Sequence, residues 1–104
     1  MTQSDELLQR VDKLIARGQE LLQQSEGDIQ KYVPKGEFAG WRARVLSFLA
    51  EEAGEKSVFT KEFTERVKNG YVEQVEQGVG ILTGLRADIE DGDFKSKKRT
   101  TVIA

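Results

Sequence analysis

Phe38-x-x-Trp41-x-x-x-Val45-x-x-Phe48-Leu49, then Phe59-x-x-x-Phe63, then Gly78-Val79-Gly80-Ile81-Leu82-Thr83-Gly84-Leu85: between Phe38 and Gly92 these segments hold most of the chain's aromatic residues, spaced three and four apart. That spacing puts each set on one face of a helix. The first segment predicts a helix from about Phe38 to Ala53, stopped by Gly54. Trp41, Val45, Phe48 and Leu49 mark its buried face, and Arg42, Arg44, Glu51 and Glu52 are read as mostly facing out. A third helix has two candidate starts, Ser57 or Thr60, stacks Phe59, Phe63 and Val67, and closes at Asn69-Gly70. The last runs from about Tyr71 to Glu90, on Val72, Val75, Val79, Leu82 and Ile89, and ends at Asp91-Gly92-Asp93.

Upstream, Leu7, Val11, Leu14, Gly18 and Leu21 alternate at four and three, with Leu8, Ile15 and Leu22 beside them. This predicts a first helix from Thr2 or Ser4 to between Ser25 and Gly27. The Thr2-Gln3-Ser4-Asp5 run has the form of a capping box. Gly18 interrupts the stripe at about 1 kcal/mol relative to Ala, which a close neighbour would justify. Gly27 to Gly36 is read as a connection, with Pro34 holding Val33 extended and Tyr32 and Val33 lying over the core. The chain is therefore expected to be all-α, a four-helix bundle-like domain over residues 1–94. Its first and last helices pack lengthwise and the aromatic pair lies across them. Residues 95–104, basic and then β-prone, are expected to form a flexible tail.

Composition narrows the chemistry. The 104 residues, 38% hydrophobic and 33% charged, suit one small core rather than a disordered chain. Histidine and cysteine are both absent, which removes the usual zinc ligands, Cys nucleophiles and His-dependent triads. No apolar run is long enough for a membrane helix. The polar, acidic N-terminus is unlike a signal peptide, so a cytoplasmic setting is expected. Net charge is −2, yet Lys95, Lys97, Lys98 and Arg99 stand close together; without them 12 basic residues face 18 acidic ones, a balance of −6. Such a body repels phosphate backbones, and only the tail could attract them.

Each remaining constellation has a plainer reading. Gly78-x-Gly80-x-x-x-Gly84 fits neither a P-loop nor a dinucleotide fingerprint; Gly80 and Gly84 are read as surfaces for close helix approach. The aromatics are read as core, with Trp41 the one expected to lie partly exposed at a partner surface. Asp88, Glu90, Asp91 and Asp93 lack the spacing of a calcium loop and are read as a solvated turn. No carboxylate has a visible cause for a raised pKa. No catalytic residue, metal ligand or cofactor is assigned.

Taken together, Phe38-x-x-Trp41, Leu46-x-Phe48-Leu49, Gly54-x-x-Ser57, Phe63, Gly78-x-Gly80-Ile81-Leu82-x-x-Leu85 and Asp88-Ile89-Glu90-x-Gly92 resemble a small helical module. That module stands at the N-terminus of bacterial proteins with TIR-like nucleotide-binding or other effector domains, several of them linked to anti-phage defence. Leu14 to Leu22 resembles its opening helix, and the likeness spans roughly residues 7–92. The resemblance implies an accessory domain for assembly or partner contact, with the chemistry done elsewhere. No effector domain is read after it here, which implies an excised domain or a free-standing adaptor, regulator or inhibitor. The expected function is thus non-catalytic protein–protein interaction or self-association, through Leu7, Val11 and Leu14 of the first helix and the Trp41 region. Nucleic-acid or phosphate binding through Lys95, Lys97, Lys98 and Arg99 is the alternative, and a carboxylate-based enzyme a remoter one.

Overall fold

The periodic stripe of the N-terminal segment forms helix α1, Gln3–Gln24, with Asp5 and Glu6 in its first turn at the positive end of the helix dipole. The computed structural model describes residues 3–25 and 32–94. The side chains of the expected capping box before Asp5, and the tail at 95–104, lie outside the described residues. Leu7, Val11, Leu14 and Leu21 are buried along one face of α1.

Helix α2, Lys35–Glu52, begins three residues before the expected Phe38. Pro34 is its N-cap, with φ at −58°, and its carbonyl accepts the Phe38 amide at 2.9 Å. The first-turn amides of a helix have no intrahelical partner, so Pro34 and Gly36 open the helix instead of preceding it. At the other end Gly54 adopts φ 94° and donates its amide to Leu49 O at 2.9 Å, the expected stop.

Helix α3, Val58–Arg66, takes the earlier of its two candidate starts. Ser57 Oγ accepts the Phe59 amide, while the Thr60 hydroxyl turns away to donate to Gly54 O at 2.7 Å. After α3 the amides of Lys68 and Asn69 both donate to Gln74 Oε1. Helix α4, Val72–Asp91, closes on Gly92 with φ 80°; Asp93 and Phe94 then donate their amides back to Asp88 O. Gly92 supplies the left-handed residue that such a cap requires.

Helices α1 and α4 pack lengthwise, as expected, and run antiparallel, with Arg86 of α4 paired to Asp12 of α1. Helix α2 packs on α1 and α3, and α3 packs on α4. The result is an all-α, four-helix bundle-like domain. Val33 is buried as expected, but Tyr32 is half exposed. Tyr32 instead forms an isolated antiparallel bridge with Tyr71, the two rings 4.7 Å apart.

Trp41 sits where α1, α2, α3 and α4 converge. Its ring meets the edge of Phe63 at 5.7 Å, and its Nε1–H donates to Leu14 O at 2.9 Å. It lies between two glycines on different helices. A Cβ on Gly18 of α1 would come within 2.8 Å of Trp41 Cζ2, and one on Gly78 of α4 within 2.9 Å of Trp41 Cη2. The missing side chains at these positions are thus the space the indole occupies. Burying a Trp removes roughly 200 Å² of side chain from water, worth about 5 kcal/mol.

Candidate interaction groove

Over Trp41, residues of helices α1 and α2 line an open groove of about 530 Å³. Its lining includes Leu14, Trp41 and Phe48 as an apolar floor and Arg10, Lys13, Arg17 and Arg44 on the walls. The basic residues reach it because α1 places positions 10, 13 and 17 on one side, three and four apart.

Each end of the groove is closed by an ion pair between the helices. At one end Arg10 Nη1 meets Glu52 Oε2 at 2.9 Å and Nη2 meets Glu51 Oε1 at 3.4 Å. The Arg10 guanidinium also lies 4.8 Å from the centre of the Phe48 ring, a cation–π contact of about 0.5–1 kcal/mol. At the other end Arg17 bonds Glu20 at 2.9 Å within α1 and Glu37 of α2 at 3.2 Å. Its hydrogen bond to Glu20 chiefly, and the charge of Glu37, raise the Arg17 pKa above its ordinary value. Glu52 is therefore not an outward-facing residue, being only 3% exposed. Arg42 is likewise half-buried and donates to Val67 O.

The residues expected to carry an interaction surface are redistributed. Leu7, Val11, Leu14 and Trp41, at 5%, 0%, 8% and 2% exposure, are core residues. Helix α4 and the aromatic cluster cover the stripe that would have been offered to a partner. Leu14 and Trp41 still reach the groove as its floor, whereas Leu7 and Val11 do not line it. Lys95, Lys97, Lys98 and Arg99 lie outside the described residues. Gly80 and Gly84 are not where helices approach closely: a Cβ on Gly80 would meet nothing within 4 Å, and one on Gly84 only Phe59 at 3.9 Å. That role falls to Gly18 and Gly78.

Sequence reasoning passed over Lys13, Arg17 and Arg44 as elements of a site. Their signal is a charge pattern: Arg10 and Arg17 stand seven apart on α1, and Glu37, Arg44 and Glu51 stand seven apart on α2. Facing helices with the same repeat bring such rows together.

Among the described residues no three His, Cys, Asp or Glu side chains converge as metal ligands, and no helix is long and apolar enough to cross a membrane. Every fully buried side-chain polar atom among them has a hydrogen-bond partner. In comparisons with known proteins, the chain matches no family model, no curated protein and no solved structure.

Proposed function

We propose that this chain is a non-catalytic protein-interaction module that meets its partner through the α1–α2 groove. One observation carries the reading. The groove joins an apolar floor of Leu14, Trp41 and Phe48 to walls rich in arginine, the combination of aromatic, apolar and Arg side chains enriched at protein interfaces. Arg10 and Arg17, at its two ends, pair with glutamates of the facing helix, whereas Lys13 and Arg44 between them do not, among the described residues. The resemblance to the helical module of TIR-like and anti-phage effector proteins supports the same reading. It would make the chain a cytoplasmic accessory part of a bacterial defence or regulatory system, acting by assembly with a partner or a second copy.

A photo-crosslinking residue at Ala16, an exposed position on the groove, tests this against one at Thr83, exposed on α4. Adducts are expected from Ala16 and not from Thr83, and the captured protein must then bind the purified chain directly. Equal adducts from both positions, or none from Ala16, would overturn the proposal.

A further inference from the structure

The two rows of charge bordering the groove are complementary at their ends and mismatched at their centre. On α2 the row reads Glu37, Arg44, Glu51; on α1, in the antiparallel sense, it reads Arg17, Lys13, Arg10. Arg17 meets Glu37 at 3.2 Å and Arg10 meets Glu51 at 3.4 Å. Midway between these pairs, Lys13 and Arg44 line the groove from opposite helices. Neither forms an ion pair or side-chain hydrogen bond among the described residues. A glutamate at position 44 would have extended the pairing of glutamate with a basic residue along the whole row; the arginine there instead leaves two exposed cations on facing walls.

That mismatch is relieved when a carboxylate stands between the two cations. We propose that the groove receives an acidic amphipathic segment of a protein partner. Its carboxylate would sit between Lys13 and Arg44, and its apolar side chains would lie against the edges of Leu14, Trp41 and Phe48, which are only 8%, 2% and 3% exposed. The two ends already show the recognition chemistry, since there a glutamate fills the same place between the helices. From Arg10 to Arg17 the groove runs about 10 Å along α1, the length of two helical turns.

This inference rests on the groove being the interaction face, and the Ala16 cross-link reports on that separately. The test uses the full 104-residue chain and its single tryptophan, whose indole forms part of the groove floor. Three probes are titrated while Trp41 fluorescence and the Trp41 indole N–H resonance are followed. The first is a synthetic helical peptide with Glu and Leu at i, i+4 spacing, the second its Gln-for-Glu counterpart, and the third inorganic phosphate. The Glu peptide is expected to bind and to weaken about tenfold or more on raising salt from about 0.05 M to about 0.5 M. The Gln peptide and phosphate are expected to leave both signals unmoved.

Arg44→Glu should abolish the response to the Glu peptide while raising the midpoint of thermal unfolding, because it completes the row of ion pairs. Lys13→Gln provides a second, milder variant, expected to weaken binding about tenfold. Equal binding of the Gln peptide, an equal response to phosphate, or undiminished binding by both variants overturns the inference. If the Ala16 adduct forms while these charge dependences are missing, the interaction face stands and its acidic preference does not.

Discussion

At the scale of single residues, glycine does opposite things in one helix. Gly78 lies against three buried side chains, with an added Cβ 2.9 Å from Trp41 Cη2, 3.0 Å from Phe63 Cε2 and 3.2 Å from Val67 Cγ2. Gly80, two positions on, meets nothing. Gly78→Ala is therefore expected to destabilise by about 1–3 kcal/mol, overpacking outweighing the helix-propensity gain. Gly18→Ala should follow it, since its Cβ would press on Trp41 and on Val79 Cγ2 at 2.7 Å. Gly80→Ala should stabilise by about 1 kcal/mol. Denaturant unfolding of the three variants checks the signs; destabilisation by Gly80→Ala would show that something covers this face. In the sequence Gly78, Gly80 and Gly84 of α4 look alike, because spacing along one helix says nothing of which neighbour fills the space above it.

At the scale of elements, local signals located the helices and left their edges to tertiary contacts. The stop at Gly54 and the close at Gly92 were legible, since both positions use the left-handed backbone that glycine permits. The choice between Ser57 and Thr60 was not, because it depends on Thr60 finding the Gly54 carbonyl. Ser57→Ala is expected to cost about 1 kcal/mol through the lost cap on the Phe59 amide, measured by chemical denaturation. A neutral result would mean that the Thr60 to Gly54 bond holds this end of α3 without help from Ser57. The early start of α2 is hidden in the sequence because a proline can hold the residue before it extended or cap the helix after it, and Pro34 does the second. The stripe of α1 was legible as apolar, but not what covers it: helix α4 does, leaving basic residues as the accessible part of the pattern.

At the scale of the whole molecule, the bridge between Tyr32 and Tyr71 ties the segment entering α2 to the start of α4, through Val33 N to Gly70 O at 2.8 Å. The hydrogen bond between the two phenols raises the Tyr32 pKa above its ordinary 10.0. A raised pKa favours the protonated, folded form: the contribution is complete below 10.0 and fades as pH rises through the higher value. Tyr71→Phe should return the Tyr32 titration towards 10.0, followed by tyrosinate absorbance in folded protein; an unchanged midpoint would remove the phenol pair as its cause. The placing of Trp41 between Gly18 and Gly78 has a mechanical consequence as well. Sliding α4 by one turn would bring Gln74 or Leu82 beneath the indole, and sliding α1 would bring Leu14 or Leu22. The indole acts as a key in a slot cut across both helices, so the ratcheting of one helix past its neighbour, a common switching device, is closed to α1 and α4.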